Sequence, residues 1–322
     1  MVTVSAGARV HVGFQNLSLA HERLYGGIGV GLDSPRVRVR AEPASEVDAA
    51  DGRLARHAAR AVEELSVEGV RVDLEESFPH HVGLGSGTQL ALAIYVATAL
   101  AHGREPVPRN AAPALGRGGR SGVGVATFEA GGFVVDGGHP TEQFTSEPPV
   151  PGTWTVPPVV SRHDLPADWR FVLVRPAASP GRNGDAEDAS IRRVVESAAP
   201  QVADEIAGVL TRRLLPAAAT GRLAAFGTAI SAIGRLNGAW YADAQGGVYR
   251  PPAGEIVAAM EAHPLVCGVG QSSWGPTVYC LTDAESAADV CGVASDLLAD
   301  HSLGGSVTVV EPASDGVRIE AQ

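Results

Sequence analysis

The chain has 322 residues, of which 45% are hydrophobic and 19% are charged, and its formal net charge at pH 7 is −11. This length and composition fit one large or two ordinary globular domains, and we expect two. The acidic balance argues against a nucleic-acid or anionic-membrane surface, so a phosphate-bearing ligand must be held by local geometry. The sequence shows no signal peptide and no apolar run of spanning length, which predicts a cytoplasmic protein.

All 25 basic residues are arginines. Because lysine is absent, arginine, backbone amides and metal ions are the tools available for neutralising a charged substrate. The three cysteines (Cys267, Cys280 and Cys291) are far apart and have no clustered histidine. They are interpreted as core residues, and neither a disulfide framework nor a zinc site is expected.

The first quarter of the chain predicts strands around a helix. Residues 2–12 and 37–40 alternate apolar with small or polar side chains, as strands do. Between them, residues 23–32 carry alternating glycines, which indicate either close approach of a ligand or a tightly packed sheet. Residues 51–65 have apolar side chains at helical spacing, and residues 70–74 return to a strand pattern.

The segment 79–90, PHHVGLGSGTQL, joins a glycine- and hydroxyl-rich loop to the apolar run 90–100. The first N–H groups of a helix lack partners and the helix dipole is positive there, so an anion fits such a loop. Its glycines would let the backbone approach a phosphate, and Ser86 and Thr88 could donate hydroxyls or hold a metal-bound water. A tight strand-to-helix turn has the same composition. The loop matches neither the Walker nor the dinucleotide-binding pattern.

Two further loops follow along the chain. Residues 116–125 combine glycines with two arginines, and either an anion contact or an exposed basic turn would have this composition. The proline-rich residues 140–166 predict a linker or an edge insertion, before a short strand at 171–174. Residues 180–188 offer an arginine and three carboxylates, a composition that a solvated turn shares.

The last third predicts helices at 191–214 and 223–236, separated near a proline and a glycine. A third glycine- and hydroxyl-rich loop at 268–279 leads into a strand. A helix at 284–298 and a last strand at 306–311 complete the pattern. Strands alternating with helices indicate an α/β or α+β architecture.

Four blocks of sequence together resemble a known family. They are ARVHVG at 8–13 with YGGIG at 25–29, the segment 79–90, RGGRSGVGV at 117–125 with FEAGGFVVDGGH at 128–139, and GQSSWGPT at 270–277. These blocks are similar to the GHMP kinase superfamily and, within it, to the β-ribofuranosylaminobenzene 5′-phosphate synthases. Histidines 11, 80, 81 and 139 lie in them, and structural and catalytic roles are equally open for these histidines.

The resemblance implies an α+β, two-domain GHMP kinase-like fold. An N-terminal α/β domain with a left-handed βαβ crossover would span 1–160, a ferredoxin-like domain would span 161–322, and the substrate cleft would lie between them. The implied reaction joins phosphoribosyl pyrophosphate to 4-aminobenzoate or a related aromatic acid, with loss of carbon dioxide and pyrophosphate, in methanopterin-type cofactor synthesis. The resemblance is also compatible with a homodimer.

Two positions depart from the patterns of these families. The related kinases carry an aspartate two places after the Ser-Gly of the second loop, and Gly124 stands there, which argues against kinase chemistry. The synthases more often have an aspartate where this chain has Asn16. An ATP-dependent GHMP small-molecule kinase and a catalytically silent ligand-binding member therefore remain as alternatives.

Breaking the C1–pyrophosphate bond of the ribosyl donor places negative charge on the leaving group, so the site needs donors, arginines and a metal. The predicted catalytic residues are Arg23, Arg120, His11 and Glu187. The predicted binding residues are Gly83, Gly85, Ser86, Gly87, Thr88, Gln89, Arg182, Gln271 and Ser272, with Ser86 and Thr88 also holding Mg²⁺.

Overall fold

The computed structural model describes residues 1–145, 149–179 and 184–321, and for 184–188 and 321 it describes the backbone alone. The strands are β1 (Val2–Asn16), β2 (Arg23–Pro43), β3 (Val47–Ala49), β4 (Val70–Glu76), β5 (Phe133–Asp136), β6 (His139–Pro140), β7 (Val159–His163), β8 (Trp169–Pro176), β9 (Gly268–Gln271), β10 (Val278–Asp283), β11 (Gly305–Val310) and β12 (Arg318–Ala321).

The α-helices are α1 (Gly52–Leu65), α2 (Ser86–Ala101), α3 (Pro108–Ala111), α4 (Val123–Ala130), α5 (Gly184–Ser197), α6 (Pro200–Val209), α7 (Leu215–Ala219), α8 (Leu223–Gln245), α9 (Ala253–Glu261) and α10 (Ala287–Asp300). A 3₁₀ turn covers Thr141–Gln143, and a π-helical stretch, Leu210–Leu214, joins α6 to α7.

The larger sheet has the strand order β12-β1-β2-β4-β3, and β5 and β6 also pair with β2. Strand β3 lies parallel to β4, and α1 connects them. Strand β7 pairs with β5, so the proline-rich stretch contributes an edge strand to this sheet. The final strand, β12, returns from the far end of the chain to pair with β1.

The smaller sheet is antiparallel and has the order β11-β8-β10-β9. Helices separate β8 from β9, and α10 separates β10 from β11, which gives a β-α-β-β-α-β pattern. This is the ferredoxin-like α+β arrangement, and the fold class predicted from the sequence is confirmed.

Helix α2 lies in the core of the larger domain. Its residues from Gln89 to Ala99 are buried all round, as expected of an apolar helix that packs against both the sheet and α1. The helix begins at Ser86, so the glycine loop leads into its first turn. The predicted order of glycine loop and helix is confirmed, but the helix begins four residues before the apolar run expected at 90–100.

The alternating glycines of β2 allow close packing within the protein. A Cβ added at Gly27 would lie 2.0 Å from the hydroxyl of Ser121, and one at Gly29 would lie 2.5 Å from the carbonyl of Val10. Both positions stay in the strand and pair with β1. Tight packing is thus the correct interpretation of this glycine run.

Several boundaries predicted from the sequence are wrong. The helix expected at 191–214 is interrupted, because α5 ends at Ser197 and Pro200 starts a new helix; proline cannot continue a helix from within. Part of the loop expected at 180–188 is helical, since α5 begins at Gly184. Helix α9 was not predicted, and β12 follows the strand that was expected to be last.

Cys280 is buried in the smaller domain, Cys267 and Cys291 are partly buried, and all three are free thiols. Among the residues that the structure describes, no helix is both long and apolar enough to cross a membrane.

Candidate active site

A cavity of about 1040 Å³ lies between the two sheets. Its walls come from the end of β1, the loop 116–121, helix α8 and the turn between β9 and β10. All four of the blocks that carried the family resemblance contribute residues to it, although they are far apart in the sequence. The fold thus brings the glycine-rich loops together around one space.

The cavity is strongly cationic in an acidic protein. Arg9, Arg117, Arg120 and Arg192 line it, and none of its described lining residues is Asp or Glu. The chain as a whole carries a formal net charge of −11, so this clustering reverses the sign of the charge locally. Clefts lined by one sign of charge concentrate ligands of the opposite sign, and this one suits anions.

Aromatic side chains form much of the remaining wall. They make up 5% of the sequence, yet seven of them line the cavity: Phe14, Tyr25, Phe144, Trp154, Tyr241, Tyr249 and Trp274. The rings of Phe14 and Tyr25 lie 5.7 Å apart between their centroids, and those of Tyr241 and Trp274 lie 4.6 Å apart. Such a wall can accept a planar ring at offset or edge-on geometry.

The glycine loop before α2 is held rigidly from two sides. The carbonyl of Gly83 accepts a hydrogen bond from the hydroxyl of Ser272 at 2.7 Å and another from the guanidinium of Arg9. Gly83 and Gly85 have φ angles of 91° and 81°, which favour glycine. Gly85 is the N-cap of α2, and among the described residues no side chain caps the helix with a hydrogen bond there.

Arg117 brings a second positive charge to the same helix end. One of its Nη atoms would lie 3.3 Å from a Cβ built at Gly87, in the first turn of α2. Its Nε is buried and has no hydrogen-bond partner among the described residues. Burial, with a smaller contribution from the nearby Arg60, lowers the pKa of Arg117 to about 10. A cation held this way beside a helix N-terminus favours a bound anion.

Arg117 was not among the residues predicted from the sequence. The pattern RGGR at 117–120 was the available signal, and Arg120 was chosen from it. Both arginines line the cavity.

A chain of hydrogen bonds links His11 to a buried carboxylate. His11 Nε2 lies 3.3 Å from Ser121 Oγ, and Ser121 Oγ lies 3.1 Å from Asp136 Oδ2. The Asp136 carboxylate also accepts the backbone N–H groups of Gly122 at 2.7 Å and Gly138 at 2.9 Å. Asp136 has no exposed surface. Of the residues in this hydrogen-bonded series, only His11 and Ser121 are among the described residues that line the cavity.

His11 is an uncharged imidazole in this site. Burial is the main cause that lowers its pKa to about 3, and the positive charges of Arg9 and Arg120 contribute to the same shift. Its backbone N–H donates to Ser272 Oγ at 3.0 Å, which fixes the strand beneath the ring. The ring itself contacts Phe14 edge-on, with centroids 5.1 Å apart.

Apart from Arg23, which is described below, the predicted site residues divide into three groups. His11, Thr88, Arg120 and Gln271 line the cavity. Ser86, Gln89 and Ser272 are buried behind its wall, and Gly83, Gly85 and Gly87 shape the loop. Arg182 lies outside the described residues, and so does the side chain of Glu187, whose backbone belongs to α5.

The buried hydroxyl of Ser86 and the buried amide of Gln89 have hydrogen-bond partners within the protein. Ser86 Oγ lies 3.1 Å from His80 Nδ1, and Gln89 Nε2 donates to the carbonyl of Gly124 at 2.9 Å. The amide of Gln271 joins Arg250 N–H to the carbonyl of Ser273. These bonds brace the loops around the cavity.

Arg23 lies apart from the cavity lining. Its guanidinium donates to the carbonyls of Gly137 and of Gly138, the latter at 2.6 Å, and so ties β2 to the turn before β6. Asn16 is equally occupied, because its amide donates to the carbonyls of Ser18 and Arg23 and accepts the N–H of Ser18. A carboxylate at position 16 could not make the two donations.

The fold and site define a member of the GHMP kinase superfamily. The GHMP kinases N terminal domain profile matches residues 53–132, and the GHMP kinases C terminal profile matches residues 214–296. Solved structures with the same fold include homoserine kinase from Cytophaga hutchinsonii and mevalonate diphosphate decarboxylase from Staphylococcus aureus. Their TM-scores are 0.65 and 0.67, and their identities are 17% and 13%. The alignments cover 99% of this chain and 97% of the first, and 100% of this chain and 99% of the second.

Curated relatives narrow the class. The β-ribofuranosylphenol 5′-phosphate synthase of Archaeoglobus fulgidus is 31% identical over 99% of this chain and 100% of its own length. That of Methanothermobacter thermautotrophicus is 30% identical over 92% of both chains. The chain belongs to the family of β-ribofuranosylphenol 5′-phosphate synthases, and the family resemblance inferred from its sequence is confirmed.

Proposed function

We propose that this protein is a pentosyltransferase that joins the ribosyl group of phosphoribosyl pyrophosphate to a para-substituted benzoate, with loss of carbon dioxide and pyrophosphate. The observation that carries the proposal is the cavity itself, in which four arginines and an aromatic wall occur without any described carboxylate. Both substrates are anions and one is a planar ring, so each matches one part of this lining. The names of the relatives specify a phenol, which favours 4-hydroxybenzoate over 4-aminobenzoate as the acceptor.

The leaving diphosphate fits the end of the cavity next to α2. There Arg117, Thr88 and residues 118–120 line the cavity, and the Arg117 guanidinium lies beside Gly87 in the first turn of α2. Donors placed where negative charge develops are worth roughly 3 kcal/mol each in the transition state. We assign Arg117 and Arg120 to this charge stabilisation.

The acceptor ring fits the opposite wall, beside Phe14 and Tyr25. The ring carbon that bears the carboxylate attacks C1 of the ribosyl group as the C1–oxygen bond to the diphosphate breaks. Loss of carbon dioxide then leaves its bonding electron pair in the ring and restores aromaticity. No nucleophile from the protein is needed, so the protein acts by orienting two substrates and by stabilising charge.

Mg²⁺ is part of the proposal. Bound to the diphosphate, it would neutralise charge on the leaving group. Mg²⁺ is commonly held by substrate phosphates, waters and one or two protein groups, and the Thr88 hydroxyl at the cavity wall suits that mode. Ser86 suits it less well, because its hydroxyl contacts His80 behind the wall. The described residues contain no cluster of three or more potential His, Cys, Asp or Glu ligands.

The geometry around Gly124 favours transfer over kinase chemistry. A Cβ at this position would lie 3.2 Å from the methyl group of Thr88, so a side chain where the related kinases carry their aspartate would require Thr88 to shift. A phosphoryl acceptor needs a group that positions and deprotonates its hydroxyl. No described carboxylate lines the cavity to do so.

The test is an assay of the purified protein with phosphoribosyl pyrophosphate, Mg²⁺ and either 4-hydroxybenzoate or 4-aminobenzoate. The proposal expects an aryl riboside 5′-phosphate from at least one acceptor, with the hydroxy compound preferred. A parallel arm supplies ATP with homoserine or mevalonate. Formation of ADP in that arm, without aryl riboside in the first, would replace the proposal by a kinase.

A further inference from the structure

The hydroxyl of Ser121 has three hydrogen-bonding partners, which match its one hydrogen and two lone pairs. Its Oγ accepts the backbone N–H of Val123 at 3.2 Å and contacts Asp136 Oδ2 and His11 Nε2. A hydroxyl has one hydrogen to donate and two lone pairs. Val123 takes one lone pair, so the hydrogen and the other lone pair are divided between the carboxylate and the imidazole.

The carboxylate determines this division. Asp136 is buried and accepts backbone N–H groups on both oxygens, from Gly122 and from Gly138. Burial raises the pKa of the Asp136 carboxyl, and the backbone N–H groups of Gly138, Gly27 and Gly122 oppose that shift. The ionised carboxylate only accepts hydrogen bonds, and in that form the hydrogen of Ser121 points to Asp136. The remaining lone pair of Ser121 then accepts the N–H of His11, and that hydrogen must be on Nε2.

Gly27 provides the space in which this arrangement is held. A Cβ at Gly27 would lie 2.0 Å from Ser121 Oγ and 2.7 Å from Asp136 Oδ2. No other residue type fits between the strand and the two polar groups. The hydroxyl and the carboxylate therefore lie directly against the backbone of Gly27.

We propose that Asp136 is a positioning residue that fixes, through Ser121, the Nε2–H tautomer of His11, so that His11 Nδ1 offers a hydrogen-bond acceptor to the para-hydroxyl of the aromatic substrate. This inference rests on the proposed function for the identity of the substrate. The His11 ring lines the cavity, and its Nδ1 makes no hydrogen bond with the described residues. The neighbouring ring of Phe14 belongs to the wall assigned to the acceptor.

In the proposed reaction, the lone pair of His11 Nδ1 accepts the proton of the para-hydroxyl group. As the ring carbon bonds to the ribosyl C1 and diphosphate leaves, the para-hydroxyl becomes strongly acidic and its proton passes to His11 Nδ1. The ring is then a dienone that still carries the carboxylate. When carbon dioxide leaves, the bonding pair restores the aromatic ring as a phenolate, which takes the proton back from Nδ1. The proton stays on His11 only between these two steps, because the phenolate is a far stronger base than an imidazole whose pKa is about 3.

The measurement is the tautomeric state of His11 in the ligand-free, full-length protein labelled with ¹⁵N-histidine, read from long-range ¹H–¹⁵N correlation spectra. The His11→Gln variant identifies the signal that belongs to His11. The inference expects a single Nε2–H tautomer in the unmodified protein. Ser121→Ala breaks the link without altering the carboxylate and should give a mixture of tautomers or the Nδ1–H form.

Ser272→Ala is the matched control, because it removes the other hydroxyl that holds His11, through the backbone N–H and not through the ring. Its spectrum should keep the Nε2–H form. An Nδ1–H tautomer in the unmodified protein, or an unchanged tautomer in Ser121→Ala, would overturn the inference. Because neither readout depends on turnover, the inference about the tautomer can fail or succeed independently of the proposed function.

Kinetics add a second readout for the same relay. Ser121→Ala should lower kcat by roughly 10²-fold, the usual size of a lost general-base contribution, with the KM for phosphoribosyl pyrophosphate unchanged. Asp136→Asn should lower kcat similarly if it folds, and Ser121→Ala remains decisive if it does not. A kcat for Ser121→Ala within twofold of the unmodified protein would contradict the assigned role.

Discussion

The side chain of Asn237 in α8 pairs with the backbone of Phe14 in β1. Its Oδ1 accepts the Phe14 N–H at 2.7 Å and its Nδ2 donates to the Phe14 carbonyl at 2.9 Å. The amide thus makes the two hydrogen bonds that a neighbouring strand would make with Phe14. It joins the larger sheet to a helix of the second half of the chain. Gly13 makes this contact possible, since a Cβ there would lie 2.4 Å from Asn237 Cγ.

We therefore predict that Gly13→Ala destabilises the protein. The added methyl must displace the Asn237 amide and leave two backbone groups of Phe14 without partners, which costs about 2–4 kcal/mol. The measurement is the urea unfolding midpoint. Gly292→Ala is the control, because an added Cβ there meets nothing within 4 Å and replaces a helical glycine of α10. That change should stabilise by about 0.5–1 kcal/mol. Equal midpoints for the two variants would contradict the role of the Asn237 contact.

A second prediction concerns Arg117. Arg117→Met should raise the KM for phosphoribosyl pyrophosphate and lower kcat/KM by about 10- to 100-fold, because a charge-assisted hydrogen bond to phosphate is worth about 1.5–3 kcal/mol. The ligand-free variant should unfold at the same or a higher temperature. The reason is that burial, followed by repulsion from Arg60, lowers the pKa of Arg117, so its charge is unfavourable in the ligand-free fold.

Arg71→Met is the control for this prediction. Arg71 is an exposed arginine of β4 that pairs with Asp48 and Glu42, far in sequence from the loop 116–121. This variant should keep the kinetic constants of the unmodified protein. Unchanged kinetics in Arg117→Met, or an equal loss in Arg71→Met, would remove Arg117 from the diphosphate end of the cavity.

A third prediction is the acid dependence of stability that His11 imposes. Its pKa in the folded protein is about 3, against 6.5 for an ordinary histidine, so between these values the unfolded chain binds a proton that the folded protein does not. Stability therefore falls as the pH falls through this window, by up to about 1.4 kcal/mol per pH unit. From pH 7.5 to pH 5.0, His11 therefore lowers the free energy of unfolding by about 2 kcal/mol.

The check is the urea midpoint of the unmodified protein and of His11→Gln at the two pH values. His11→Gln should lose less stability on acidification by that amount. His57 gives a related contribution, since burial and the positive charges of Arg117 and Arg60 lower its pKa to about 3. A pH dependence that is the same in His11→Gln as in the unmodified protein would show that His11 is not the buried neutral group described above.

The sequence was sufficient for the fold and for the loops. Glycine spacing and apolar periodicity located β1, α1 and the start of α2, because these patterns report local backbone geometry and burial. They failed at Pro200, where one proline divides a continuous apolar pattern, and at β12, which is a strand only because β1 offers it an edge.

The cavity could be predicted in part. His11, Thr88, Arg120 and Gln271 lie in recognisable motifs and do line it. Asn237 gave no such signal, since its partner is more than 200 residues away in the sequence. Asp136 lies in the block 128–139, but its role depends on the buried hydroxyl of Ser121, which the motif does not specify. Long-range partners of this kind follow from the tertiary fold and have no local pattern.

The central claim is that this cavity couples ribosyl transfer to decarboxylation. The direct measurement uses 4-hydroxybenzoate labelled with ¹⁴C in its carboxyl group, together with phosphoribosyl pyrophosphate and Mg²⁺, and follows labelled carbon dioxide and pyrophosphate in the same reaction. The account predicts that the two are released in a one-to-one ratio and that neither forms when either substrate is omitted. Pyrophosphate release without labelled carbon dioxide, or no release of either from folded protein with 4-hydroxybenzoate or 4-aminobenzoate, would contradict it.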